Sequence, residues 1–340
     1  MALIPFFYSS YVIDGCNMPS TPASLLGDDS LETYPSVVDE TLDPAPGGYH
    51  FDETKVDDYL KALSKKKFPF ELPYAASYAR CQLAYALTDA LWKKGKFLLE
   101  DLSLTAKVDW QVDELGSGAA LYSACESAAE LASDMDIPIK DRELREGPRS
   151  ISFDVLGPKP GRMIGDKLVD DPDSWIIYMP FDTDELHLGD SALSAALGLS
   201  GGMAPKMEDP DYFMDCFEVV RELVEDGILL SGVSVKRGGM VAALDSMVSP
   251  TVGADVNISD LKRAYPSSDV VRILFSEVPG VIFQINDSDY DYLDAELLLQ
   301  DVMYFPLGHP VRRKGKVGAI LDSLTGQPHQ SLAFSSISLR

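Results

Sequence analysis

The sequence predicts a mixed α/β (α+β) protein of two subdomains, and three observations carry that prediction. Short apolar runs with strand character recur at residues 103–108 (SLTAKV), 150–156 (SISFDVL), 175–179 (WIIYM), 228–235 (ILLSGVSV) and 281–285. Between them lie segments whose apolar residues recur at helical spacing. A Gly- and Pro-rich stretch, 157–165 (GPKPGRMIG), separates two such blocks and reads as an interdomain turn. With 340 residues, 46% apolar and 24% charged, the chain has the composition of a globular protein and ample length for a core.

Residues 1–67 read as an acidic, partly extended arm. Residues 1–60 hold eleven Asp/Glu against one lysine, Lys55, and six prolines, and 19–48 shows no sustained period. This predicts a poorly ordered leader. The aromatic run Phe6, Phe7, Tyr8, Tyr11 and Val12 offers an alternative, a strand added to a sheet edge. Residues 68–164 form the first subdomain. There Ala76, Ala79, Leu83, Ala86, Leu87 and Ala90 make a small-residue helix face, and a second helix spans 119–135. Residues 165–340 form the second. Its helix opens at Asp209-Pro210, where Asp caps and Pro fits the first turn, and Gly227 stops it. A short helix at 241–247, a strand at 254–258, a short helix near Leu274, an acidic helix near 288–300 and an apolar run at 302–305 complete the block.

The 29 basic and 54 acidic side chains give a net charge of −25, which repels nucleic acid and anionic membrane surfaces. No run of 18 apolar residues appears, and the first residues lack the basic and apolar regions of a signal peptide. Cys16, Cys81, Cys125 and Cys216 are scattered, and three of them fall in apolar helical patterns as small core residues. A reducing, cytoplasmic setting fits. The four histidines (His50, His187, His309, His329) stand in turn-like contexts outside any nucleophile motif. Neither common glycine-rich phosphate cradle is present, and the acidic clusters at 166–173 and 287–294 lack the spacing of a calcium loop. Two cationic stretches are unusual in so acidic a chain: Lys140, Asp141 and Arg142, continuing to Arg145, and Ser234, Lys236, Arg237, Gly238 and Gly239 after an apolar strand. Strand ends followed by flexible backbone are where α/β proteins bind anions.

The order of motifs resembles a known family. GSGAALYSACESAAELASDMDIPIKD (116–141), HLGDSALSAALG (187–198), DPDYFMDCFEVVRELVEDGILLSGVSVKRGGMVAALDSM (209–247), ILFSEVPGVIFQI (273–285) and YFPLGHPV (304–311) together look like the C-terminal half of the synthetase region of phosphoribosylformylglycinamidine synthase. The half-unit is also similar to aminoimidazole ribonucleotide synthase. The resemblance covers residues 74–340 and leaves 1–70 unmatched; the family's glutaminase domain has no counterpart here. It implies an N-terminal α/β subdomain whose sheet pairs with a second half-unit, a C-terminal α+β subdomain behind it, and a nucleotide-magnesium site between.

The resemblance is selective. The family's G-E-A-L-T-N, which supplies Glu and Asn to magnesium-nucleotide, corresponds to Ala84-Tyr85-Ala86-Leu87-Thr88-Asp89, where Asp89 is the one carboxylate candidate. Its H-D-x-S-x-G-G, with a metal-binding Asp, corresponds to Val233-Ser234-Val235-Lys236-Arg237-Gly238-Gly239. Its G-E-D-A-x-L-Y corresponds to Gly116-Ser117-Gly118-Ala119-Ala120-Leu121-Tyr122, without either carboxylate, and G-K-D-S-[LM]-S-M also fails: with a one-residue deletion Lys140-Asp141 matches its K-D, but Arg142-Glu143 replaces the following Ser. Packing positions such as Leu188-Gly189, Ser191-Ala192, Phe275, Glu277 and Gly280 are kept. Phosphate-bound Mg²⁺ needs oxygen ligands. The expectation is therefore a non-catalytic half-synthase, with no cofactor, acting as a homodimer or beside a synthase-like half-unit. The alternatives are an ATP-dependent carbon–nitrogen ligase of purine biosynthesis with a rebuilt phosphate site, binding ATP or ADP with magnesium, and an anion-binding module built on the two cationic stretches.

Overall fold

A computed structural model describes residues 3–28, 30, 34–63, 70–312 and 337–339. The expectations for 1–2, 29, 31–33, 64–69, 313–336 and 340 lie outside the described residues. In chain order the elements begin with α1 (Pro5–Tyr8), β1 (Tyr11–Ile13), β2 (Cys16–Asn17), α2 (Pro22–Leu25), β3 (Val37–Asp39) and α3 (Val56–Leu63). Next come α4 (Ala75–Ala90), β4 (Lys93–Lys94), β5 (Ser103–Trp110), α5 (Ser117–Asp134), β6 (Ile139–Glu146), β7 (Ser150–Leu156) and β8 (Lys159–Arg162). They continue with β9 (Trp175–Pro180), α6 (Ala192–Leu197), α7 (Pro210–Glu225), β10 (Leu229–Val235), α8 (Gly239–Met247), β11 (Val252–Val256), α9 (Ser259–Ala264) and α10 (Val270–Phe275). The last are β12 (Gly280–Ile285), α11 (Tyr290–Leu299), β13 (Phe305–Arg312) and β14 (Ile337–Leu339).

A six-stranded sheet, ordered β10-β12-β9-β13-β11-β14, forms the larger layer, antiparallel throughout except for β11 and β14. Its strands β9, β10 and β12 are buried nearly throughout and accordingly apolar on both faces. Ile177, Met179, Val281 and Phe283 join a core with Leu83 and Leu87 of α4 and Phe213 and Phe217 of α7. Ile176, Tyr178, Ile282 and Val235 instead meet α8 and α10 through Leu244 and Leu274. The expected cap of α7 is present: Asp209 accepts a hydrogen bond from the Tyr212 N–H at 3.0 Å, and Gly227 follows the helix at φ +71°. Cys81, Cys125 and Cys216 are buried core residues, while Cys16 is exposed.

The smaller sheet is β6-β5-β7, parallel between β5 and β6 and antiparallel between β5 and β7. Ala106, Val108 and Trp110 of β5 and Ile151, Phe153 and Val155 of β7 pack in the core with α4 and α5. The other face is charged. Lys107 pairs with Asp154 of β7 at 2.5 Å and with Glu143 of β6 at 3.9 Å.

Three expectations are corrected. The segment 140–145 is not a strand end but the body of β6, an edge strand whose charges hide its period. The stretch 157–165 is more than a turn, because β8 within it pairs antiparallel with β4. The acidic arm is not a loose leader. Its aromatic run forms α1 and β1, and β1 builds a separate sheet, β2-β1-β3, instead of extending an existing edge. Phe7 and Leu26 enter the core beside α4 and α5, whereas Phe51, Val56 and Leu60 enter the core beside α8 and α10. Docking, rather than local propensity, holds these short elements.

Asp39 ties the arm to the first subdomain. Its carboxylate accepts N–H bonds from Gly116 (2.8 Å), Gly118 (2.7 Å) and Ala119 (3.1 Å) at the start of α5. Those amides lack intrahelical partners, and the helix dipole favours an anion there. Burial raises the Asp39 pKa, but these amide bonds outweigh it and leave the carboxyl below its ordinary value. Glycine at 118 is what admits the carboxylate, since a Cβ there would stand 2.9 Å from Val37 and 3.0 Å from Asp39.

Candidate functional site

The end of β10, the start of α8, the face of α4 and the loop before α6 converge on a cation-centred cluster. Gly238 and Gly239 make this convergence possible. Both have positive φ (+95° and +72°), and a Cβ on Gly239 would lie 2.6 Å from the Phe275 backbone. The chain therefore turns sharply after Lys236 and tucks Arg237 beneath the loop.

The Arg237 guanidinium lies 3.4 Å from Glu277 and 3.5 Å from Asp190, and it donates to the Asp190 carbonyl at 2.7 Å. It also stands over the Tyr78 ring, 5.6 Å from the centroid. Both carboxylates are nearly inaccessible, with side chains 5% and 7% exposed. Glu277 accepts N–H bonds from Gly238 at 2.8 Å and Ala192 at 2.7 Å, which joins the starts of α8 and α6. Tyr85 donates its hydroxyl to the Glu277 carbonyl at 2.5 Å. Burial pushes the Asp190 carboxyl up to about 7, against the attraction of Arg237 and a hydrogen bond from the Glu71 N–H. Burial likewise raises Glu277, and the nearby carboxylates keep Arg237 charged.

Beside this cluster Lys236 donates to Asp89 at 2.7 Å, joining the last turn of α4 to the end of β10. Ser234 is buried and accepts the Trp92 indole N–H at 2.9 Å. The cavity lined by Tyr78, Tyr85, Asp190, Arg237 and Glu277 has a volume of about 20 Å³, room for one water. Ligand pockets for small molecules are roughly 300–1,000 Å³.

The residues at the magnesium-nucleotide motifs do not fit that group. Asp89 is neutralised by Lys236, Ser234 is held by Trp92, and Tyr85 is turned into the core. Among the described residues, no group of three or more His, Cys, Asp or Glu is placed to hold a metal ion. No helix among them is long and apolar enough to cross a membrane.

The structure separates the two cationic stretches. Lys140, Asp141 and Arg142 lie on β6, where Arg142 pairs with Asp28 of the arm at 3.0 Å and bonds the Gly27 carbonyl. Hydrogen bonds from Ser30, Tyr8 and Arg142 hold Asp28 at a pKa of about 2 despite the opposing effect of burial. Ser234, Lys236, Arg237, Gly238 and Gly239 gather instead around Asp89, Asp190 and Glu277. Asp190 and Tyr78 escaped the sequence reading. The only local signal for Asp190 is an acidic residue at a left-handed turn position, φ +54°, in LHLGDS.

No protein-family model matches the chain. It is 24% identical over 227 residues to phosphoribosylformylglycinamidine synthase of Homo sapiens, covering 62% of this chain and 16% of that protein. It is 24% identical over 240 residues to the probable chloroplastic/mitochondrial phosphoribosylformylglycinamidine synthase of Arabidopsis thaliana, covering 66% and 17%. The chain thus spans about one sixth of the length of these relatives. Among solved structures, Thermotoga maritima PurL complexed with FGAR matches with a TM-score of 0.53 at 17% identity, covering 71% of this chain and 40% of that one. The mixed α/β architecture is thus the fold of PurL, and the chain is a distant homologue of the synthetase region of phosphoribosylformylglycinamidine synthase.

Proposed function

We propose that this chain is a non-catalytic half-synthase, a PurL-like unit that has lost Mg-ATP catalysis and works by association. The observation that carries the reading is Arg237, a built-in cation held between Asp190 and Glu277 beside a second cation, Lys236, on Asp89. A divalent ion at this place would meet repulsion from both cations, and the remaining oxygens already have partners. The residues that shape the turn survive, while the oxygen donors of the motif do not. Fold likeness alone does not confer the fold's usual chemistry.

The partner in this proposal is a second copy or a synthase-like half-unit, in the cytoplasm, with neither nucleic acid nor membrane involved. Because the outer face of β6-β5-β7 is laced by Lys107, Asp154 and Glu143, pairing in this proposal runs along an outer strand, β6 or β7, rather than face to face. Light scattering on the purified chain tests this. A dimer, or a stable complex with a synthase half-unit, is expected. A monomer at micromolar concentration that binds no such half-unit contradicts the proposal.

A further inference from the structure

We infer that a cleft between β9, β11 and β13 binds a small organic cation, a ligand with ammonium groups on a short carbon frame. The cleft lies at the opposite end of the larger sheet from Arg237. Trp175 at the start of β9 pairs with Ile285, and Ile285 with Leu229 at the start of β10, whereas Arg237 follows the other end of β10. The cleft has a volume of about 370 Å³ and is lined by Trp175, Asp255, Asn257, Asp260 and His309, together with residues 306–308. Small-molecule pockets span roughly 300–1,000 Å³. It draws on the stretch 304–311, to which the Arg237 cluster gives no role.

A bulge shapes the cleft. Pro306 of β13 pairs with Ile177 but Gly308 with Ile176, so Leu307 is an extra residue in the strand. Glycine is required beside it: Gly308 has φ +140°, and a Cβ there would lie 2.1 Å from the Asp255 carbonyl oxygen. Beyond the bulge His309 stands opposite Asp255 in the β11–β13 ladder, so both side chains leave the same face. His309 packs on Trp175 with ring centroids 4.1 Å apart, and its Nδ1 lies 2.9 Å from the Ser174 carbonyl oxygen. Nδ1 therefore carries a proton, which leaves Nε2 as the acceptor of the neutral ring.

The lining selects the ligand. It offers two carboxylates, the Nε2 lone pair and an indole, and no lysine or arginine among the described residues lines it. An anion there meets repulsion and a cation attraction, reinforced by the net charge of −25. A bare metal ion is the poorer occupant. Asp255, Asp260 and His309 share the cleft, yet no three such residues among those described are placed to hold a metal ion. Groups spread so widely suit an amine of several carbons, whose frame covers Trp175 and Leu307 while its ammonium groups reach the carboxylates. Arg263 pairs with Asp260, but its side chain is 80% exposed, and such a surface pair is weak enough for a ligand to displace.

Isothermal titration of the full chain with 1,4-diaminobutane tests the inference. Saturable binding is expected in 25 mM NaCl, weakening at least tenfold in 300 mM NaCl. Asp255→Asn and Asp260→Asn, each nearly isosteric, are expected to weaken it about threefold singly and about tenfold together. Asp134→Asn, at the exposed end of α5, leaves it unchanged. Binding should also alter tryptophan emission through the partly exposed Trp175, since Trp92 and Trp110 are 1% and 0% exposed. Absence of saturable binding, equal binding of the uncharged 1,4-butanediol, displacement by Mg²⁺ at equal ionic strength, or insensitivity to both asparagine substitutions would overturn the inference.

Discussion

Replacing Arg237 by methionine is expected to destabilise the protein by about 3–5 kcal/mol, the range for removing one partner of a buried ion pair. Methionine fills much of the space of the arginine stem but leaves Asp190 and Glu277 buried together without their shared cation. Adding Asp190→Asn should recover part of the loss, because one of the two stranded carboxylates then disappears. The wild-type protein has a related pH dependence. Asp190 ionises at about 7 when folded, well above its ordinary value of 3.8. Between about pH 4 and pH 7 the folded state thus binds more protons at this site than the unfolded chain, and its contribution to stability falls as pH rises. Asp182, raised by burial to about 6, acts in the same window. Asp190→Asn should flatten the decline between pH 5 and pH 8 in urea denaturation but leave the share of Asp182. The penalty of Arg237→Met should shrink at pH 5, where Asp190 is protonated. A penalty below 1 kcal/mol at pH 7 would show that the cluster does not depend on its arginine.

Asp39→Ala should cost about 2–4 kcal/mol, more than loss of an ordinary cap, because one ionised carboxylate serves three amides of α5. Asp39→Asn keeps an oxygen acceptor but loses the charge, and about half that effect is expected. Denaturation in urea measures both. The stability of α5 is linked in this way to a segment of the arm nearly eighty positions earlier in the chain, so the alanine variant should also loosen the arm. Faster hydrogen exchange in β1 and β3 would report it. Unchanged exchange there, together with unchanged stability, would mean that the arm and α5 are independent.

Most of the regular scaffold is legible in the sequence. The helix faces of α4, α5 and α7 and the apolar runs of β7, β9, β10 and β12 repeat over enough residues for burial to leave a period. The edge strand β6 does not. Its sequence IKDRELRE interleaves charges on the solvent side with Arg142, which turns to Asp28, so no apolar alternation marks it. Ribbon β4–β8 is hidden by its prolines and glycines, and the arm by elements of only two to eight residues that are stabilised by what they dock on. At the site, the unusual cations Lys236 and Arg237 stand out in the sequence, but their neutralising partners come from three separate places. Asp89 ends α4, Asp190 precedes α6 and Glu277 follows α10, while Asp39 brings a carboxylate to a motif whose own positions are Ser117 and Gly118. One-dimensional spacing cannot reveal such pairings, because the fold alone brings them within reach.

In the proposed function, built-in cations replace the magnesium-nucleotide site. Its most direct test is calorimetric titration of the intact chain with ATP and with ADP, each in the presence and absence of Mg²⁺. No magnesium-dependent heat is expected with either nucleotide. Saturable binding that requires Mg²⁺ would contradict it and return the ATP-dependent ligase reading to first place.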